Sequence, residues 1–96
     1  MNVEYARRAV SDIRTIAAYY ARSDNPQLCE RVASRIRDVV ARISRRPESG
    51  RPVAARPGVR VVPLIRYPFN LFYLVGDHGV RVLHIRHTAR RPWTGG

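Results

Sequence analysis

The side chains with the most chemical potential sit in the last third of the chain. There the run His84-Ile-Arg86-His87-Thr-Ala-Arg90-Arg91-Pro-Trp93 closes an apolar strand pattern, and Arg60 and Arg66 lie on an earlier strand. Imidazole, guanidinium and indole groups held at a sheet edge can do two kinds of work. One is RNA cleavage by in-line attack of a ribose 2′-hydroxyl. It needs a proton acceptor, a cation for the pentavalent phosphate and a proton donor for the leaving oxygen. His87 could serve as acid or base, with Arg66, Arg86 and Arg90 holding phosphate, but one histidine does not make both an acid and a base. The other work breaks no bond: Arg60, Arg66, Arg86, His87, Arg90, Arg91 and Trp93 form a cation-and-aromatic surface suited to a protein hot spot or to nucleic acid.

Other chemistries find no support. His84 and His87 are three apart on a strand, so they point to opposite faces, and His78 sits in a turn; no metal site is expected where three or four ligands must converge. The serines Ser11, Ser23, Ser34, Ser44 and Ser49 fall on helices or turns without a strand-turn-helix context, and the few carboxylates are mostly helical. Gly58, Gly76 and Gly79 are isolated turn residues, so no phosphate-cradling loop exists. No cofactor is expected. Neither a helix-turn-helix reading head nor an aromatic RNA-recognition signature is present.

These residues need a scaffold, and the hydrophobic pattern supplies one. Val59 to Arg66 reads as a strand. Pro68 then interrupts, Phe69 to Val75 is apolar on both faces and reads as a central strand, and Gly76-Asp77-His78-Gly79 closes a hairpin. From Val80 to His87 the alternation predicts Val80, Val82, His84 and Arg86 on one face and Arg81, Leu83, Ile85 and His87 on the other. Upstream, Asn2–Tyr5 is a short strand candidate. Ala9, Ile13, Ile16, Ala17 and Tyr20 follow at helical spacing, with Arg7, Arg8, Asp12, Arg14 and Arg22 on the other faces. Ser23-Asp24-Asn25-Pro26 ends that helix, with Asn25 or Asp24 as the next cap and Pro26 at the first helical position. The second helix carries the stripe Leu28, Val32, Ile36, Val39, Val40 and Ile43, and stops at Arg45-Arg46-Pro47. Residues 44–58 form a long Pro/Gly/Arg connection of the kind that tends to be functional or mobile; Arg51 and Arg56 are candidate contacts within it.

Composition bounds the partners. Ninety-six residues make one domain, residues 1–96. The net charge is +11, and all 18 basic residues are arginine. Guanidinium forks bind carboxylate and phosphate in bidentate fashion and stack on bases, so an acidic protein or a nucleic acid is the expected partner. Cys29 is the lone cysteine, which excludes an internal disulfide and agrees with a reducing compartment. No run approaches the length of a membrane span and no signal-peptide stretch opens the chain, so a soluble, cytoplasmic protein is expected.

The order short strand, helix hairpin, Pro/Gly/Arg linker and three strands resembles the RelE/ParE superfamily of toxin–antitoxin toxins over nearly the whole chain. The residues that carry the resemblance are Ala9-x-x-Asp12-Ile13-x-x-Ile16 with Tyr19-Tyr20, then Pro47-x-Ser-Gly50-Arg51. They continue with Tyr67-Pro68-Phe69-Asn70-Leu71-Phe72-Tyr73 and end in Val82-Leu-His-Ile-Arg-His87-x-x-Arg90-x-x-Trp93. The resemblance implies an α+β fold, with the helix hairpin packed on a mainly antiparallel sheet of three to four strands. It also implies a growth-inhibiting toxin of the type linked to plasmid stabilization, neutralised by an acidic antitoxin in a hetero-oligomer that meets operator DNA only through the antitoxin. RelE-like members cut messenger RNA on the ribosome with a basic cluster, whereas ParE-like members poison DNA gyrase. Here Asn70 takes the central-strand position where RelE-like chains commonly carry arginine, and no tyrosine follows Tyr73. The expectation is therefore a ParE-like gyrase binder. The alternatives are a RelE-like, metal-independent endoribonuclease using Arg66, His87 and Arg90, and a plain arginine-rich RNA-binding module.

Overall fold

A computed structural model describes residues 2–89. In chain order it contains β1 (Asn2–Tyr5), α1 (Arg7–Ala21) and α2 (Gln27–Arg45). A 3-10 turn (Pro47–Ser49), β2 (Arg51–Pro52), β3 (Val59–Pro63), β4 (Phe69–Val75) and β5 (Gly79–His87) follow. Among the described residues no helix is long and apolar enough to cross a membrane.

Each helix forms where apolar residues recur on one face. On α1, Ala9 and Ile16 are buried, with Ile13 and Tyr20 packed beside them. Ala6 gives α1 no side-chain cap; its N–H instead donates to Val82 O at 2.9 Å, so the start of the helix is fixed by the sheet. On α2 the buried stripe is Val32, Ile36, Val39, Val40 and Ile43. Asn25 Oδ1 accepts the Gln27 N–H at 3.1 Å and Pro26 already has helical φ and ψ, as the turn sequence predicts. Arg42 and Arg45 occupy the last turn, where cations face the negative end of the helix dipole.

The sheet order is β1-β5-β4-β3-β2. β4 lies in the middle, which is why its residues are apolar on both faces. β1 runs parallel to β5, and the other neighbours are antiparallel. The fifth strand is a departure from the three or four expected: Arg51–Pro52, inside the connection, pairs with Arg60–Val61. Two residues ending in proline suit an edge, because proline has no N–H to donate. The helices cover one face of the sheet, where Val62, Leu64, Leu71, Tyr73, Val82 and Ile85 join their apolar stripes. A smaller cluster, Val59, Val61 and Phe72 with Leu74 and Leu83 against it, occupies the opposite face.

The connection expected to be mobile is fastened down. Tyr73, fully buried, donates its hydroxyl to Pro47 O at 2.6 Å and accepts the Gly50 N–H at 2.9 Å. The Arg60 guanidinium donates to Gly50 O at 2.7 Å and Glu48 O at 3.2 Å. Gly50 is also packed too tightly for a side chain, since a Cβ there would lie 2.7 Å from Tyr73 Oη and 2.9 Å from Val61 O.

A second departure lies in β5. Phe72 pairs with His84 and Tyr73 with Val82, leaving Leu83 as an extra residue in a bulge. A one-residue insertion reverses which face every later side chain meets. Val80 and Val82 therefore share the helix-covered face with Ile85, not with His84 and Arg86 as strict alternation predicts.

Candidate interaction surface at one end of the sheet

The end of the sheet where β4 begins and β5 finishes gathers three of the residues singled out above. Leu64 to Tyr67 form the β3–β4 turn, closed by the Tyr67 N–H donating to Leu64 O at 2.9 Å. Arg66, its third residue, has φ of 80°, and among the described residues no other non-glycine has positive φ. With Ile65 at negative φ, this is the type II pattern, which glycine or asparagine normally fills. An exposed arginine is thus held where L-residues are strained, an arrangement found where a site needs the side chain.

Next to this turn, Phe69 pairs with His87 and Asn70 with Arg86, and Thr88 N–H donates to Pro68 O at 2.8 Å. Arg86 and His87, being adjacent on a strand, face opposite ways. Arg86 lies half-buried opposite Asn70 on the face away from the helices, its Nε buried without a hydrogen-bond partner among the described residues. His87 faces the helices, its ring edge-on to Phe69 at 5.4 Å. Its Nδ1 accepts the Ala89 N–H at 3.0 Å, so the neutral ring assigned by this bond carries its proton on Nε2. Such a ring can donate from Nε2; its acceptor nitrogen is already in use.

What positions this stretch of β5 was not evident from helical spacing. β1 accompanies β5 only along Gly79–Val82. Beyond that point the chain turns into α1, and the β5 edge would stand open. Asp12 fills the gap: Oδ2 accepts the Ile85 N–H at 2.9 Å and lies 2.6 Å from Nδ1 of His84, a buried side chain. Asp12, off the apolar stripe of α1 as its spacing predicts, is thus half-buried and structural. The only sequence signal for it was its place in the run Ala9-x-x-Asp12-Ile13.

The remaining candidates separate. Arg60 pairs with Tyr73, roughly 13 Å along the sheet from the His87 pair at the usual strand rise. Its guanidinium is spent on the Glu48 and Gly50 carbonyls, a bracing role that composition alone could not reveal. Arg51 is exposed on the β2 edge, while Arg56 is half-buried. Arg90, Arg91 and Trp93 lie outside the described residues, and with them the third member of the trio Arg66, His87 and Arg90.

An aromatic cluster missed as a site borders this end. Tyr20 meets Tyr19, Tyr67 and Phe69 at ring-centroid distances of 5.1, 6.2 and 6.4 Å. Burial, then the neighbouring phenols Tyr19 and Tyr67, pushes the Tyr20 hydroxyl above its ordinary pKa, so it stays a donor. Around it the surface is basic. Arg37 and Glu30 form an exposed ion pair at 2.9 Å, and Asp12 Oδ2 meets His84 Nδ1 at 2.6 Å. The arrangement can therefore bind an acidic or amphipathic partner. It does not bring an acid, a base and a phosphate cation onto one face among the described residues.

Comparison with known proteins agrees with this architecture. Residues 3–92 match the family described as the ParE toxin of type II toxin-antitoxin system, parDE. No curated protein matches the sequence closely enough to count as a relative. Among solved structures, the chromosomal ParDE toxin–antitoxin system from P. aeruginosa contains a chain with a TM-score of 0.77 and 26% identity, covering 91% of this chain and 95% of that one. The YoeB dimer from Staphylococcus aureus is similar at a TM-score of 0.63 and 14% identity, covering 91% and 95%. The isolated E. coli RelE toxin gives 0.58 and 19%, covering 93% and 85%. The last two likenesses bear on the fold alone.

Proposed function

The chain belongs to the ParE toxin family of type II toxin–antitoxin systems, and from that premise we propose that it arrests growth by binding DNA gyrase until an acidic antitoxin covers it. The observation that carries the choice of target is the arrangement of β5. Arg86 and His87 face opposite sides of the strand, and the acceptor nitrogen of His87 is held by Ala89 N–H. In-line RNA cleavage needs proton transfer and phosphate charge compensation at a single point. Binding has no such demand: the exposed Arg66 of the β3–β4 turn and the half-buried Arg86 at the same end of the sheet can each contact an extended surface without converging on one point. The antitoxin reading is supported by the charge of +11 and by the similarity to a ParDE system.

The test is direct. Purified toxin at micromolar concentration is added to gyrase in a supercoiling and cleavage-complex assay, while primer extension follows messages in cells expressing it. Inhibited supercoiling with unchanged message ends is the expected outcome. New codon-linked message ends with unaffected gyrase would transfer the chain to the ribonuclease class. Continued growth on full expression would reject the toxin reading itself.

A further inference from the structure

The charge of the helix hairpin is unevenly placed. Cys29 Sγ donates to Ala17 O at 3.5 Å, which ties the two helices side by side next to their connecting turn. Away from that turn, Arg7 on α1 and Arg42 on α2 both stand about 21–23 Å along their helices at the usual rise. The far end of the antiparallel pair therefore gathers Arg7 and Arg8 with Arg42, Arg45 and Arg46, all exposed. Arg14, also exposed, follows Arg7 two turns along α1. In residues 5–14 and 38–51 the carboxylates are Asp12, Asp38 and Glu48, and Asp12 is already held by Ile85 N–H and His84. Near the turn, Arg22, Arg31, Arg35 and Arg37 are instead interspersed with Asp24 and Glu30, and Glu30 pairs with Arg37. The far end is also concave on the α1 side, where Tyr5, Arg7, Val10, Ser11 and Arg14 border a hollow of about 380 Å³. Glu4 is turned away from it, since Val3 packs under the helices and strand side chains alternate.

We propose that this end of the helix hairpin is a phosphate-binding site with which the toxin grips the backbone of the duplex DNA that gyrase holds; the inference rests on the gyrase reading above. The hollow supplies the groups that backbone recognition uses. Guanidinium forks take phosphate oxygens in bidentate fashion, and Ser11 and Tyr5 add hydroxyl donors between them. Burial raises the Tyr5 hydroxyl above its ordinary pKa, so it stays protonated. Arg7 and Arg14 are about 10 Å apart along α1, and duplex DNA carries one phosphate charge per ~1.7 Å of its axis. Each arginine can therefore meet a phosphate of its own, and Arg42, Arg45 and Arg46 extend the contact beyond the hollow. Contacts of this kind read no bases, so binding is indifferent to sequence. The site also lies apart from Arg66, Arg86 and His87. α1 begins beside Val82, whereas His87 is roughly 16 Å further along β5 at the usual strand rise. One end of the toxin can thus face the enzyme while another meets its DNA.

Fluorescence anisotropy with purified toxin and a labelled duplex of mixed sequence reads the site directly. Affinity should fall steeply with salt. Arg7→Gln combined with Arg14→Gln should weaken it at least about tenfold and lower the log–log salt slope by about two. Arg42→Gln combined with Arg45→Gln should act in the same direction. Arg22→Gln combined with Arg31→Gln removes the same charge near the turn. It should cost less than about threefold, because charges that far from the site are screened at about 0.1 M salt. All six positions are exposed, so thermal melts close to wild type are expected. With gyrase, the variant lacking Arg7 and Arg14 should trap fewer cleavage complexes while binding DNA-free gyrase as wild type does. Equal losses near the turn and away from it would reduce the effect to net charge and overturn the inference. So would a preference for single-stranded RNA, or competition by polyglutamate as strong as by unlabelled duplex. Wild-type toxin that binds duplex but leaves gyrase active would instead remove the gyrase reading and leave the phosphate site standing.

Discussion

Arg66→Gly should make the protein more stable and less toxic at once. Arg66 sits at φ of 80° in the third position of a type II turn. An L-residue in left-handed backbone costs about 1–2 kcal/mol relative to glycine. Glycine returns about 0.4–1 kcal/mol of that through its freer unfolded chain, so the net gain is about 0.5–1 kcal/mol. The guanidinium is exposed and adds little to folding, and removing one charge from a chain at +11 lessens self-repulsion in the same direction. For a domain of this size the midpoint of thermal unfolding should rise by about 2–6 °C. Calorimetry on the purified toxin reads this, and the urea midpoint should move with an unchanged m-value. In the same variant, growth arrest should weaken and the toxin concentration needed to inhibit gyrase should rise. The reasoning fails if Arg66→Gly lowers the melting temperature, for then the turn depends on the arginine side chain. It fails equally if stability rises while toxicity is untouched, for then the strained position serves no contact.

Substitutions at three further positions probe the frame around this site. Tyr73→Phe deletes the hydroxyl that bridges Pro47 O and Gly50 N–H, leaving a buried donor unpaired. A loss of about 2–3 kcal/mol in urea unfolding is expected, with faster hydrogen exchange at Gly50. Asp12→Ala takes away the acceptor of the Ile85 N–H and should cost about 1–3 kcal/mol, while Asp12→Asn, which retains an acceptor oxygen, should cost less; equal losses would mean that the carboxylate charge and not the bond to Ile85 matters. His87→Ala should leave gyrase inhibition within about threefold of wild type, because one rim histidine of a large interface contributes little; abolished toxicity with intact gyrase binding would count for RNA cleavage.

Much of the architecture was legible along the chain because it depends on near neighbours. Apolar residues three and four apart on α2 must share a face, and Asn25-Pro26 must start a helix; both follow from local geometry alone. A strand with no polar face, Phe69 to Val75, belongs at the centre of a sheet whichever partners it takes. That Arg86 and His87 diverge is equally local, since successive strand side chains alternate. Family resemblance carried the toxin class, for the quoted motifs spread over elements that the periodicity had already placed.

The rest was decided by contacts between distant residues. Nothing near Leu83 announces the bulge, yet that single inserted residue determines that His87, not Arg86, meets the helices and borders Tyr19. Asp12 looks like any polar helix residue until the β5 edge is left bare 73 positions later and needs an acceptor. Arg60 looks like a surface contact until the linker folds back and offers it two carbonyls. Arg66 acquires its strained backbone only because β3 and β4 must pair across it. Sequence periodicity is a property of neighbours three or four apart, so it determines which elements form and what each one buries. Register, edge closure and backbone strain arise from pairings between segments, and those exist only once the chain has folded.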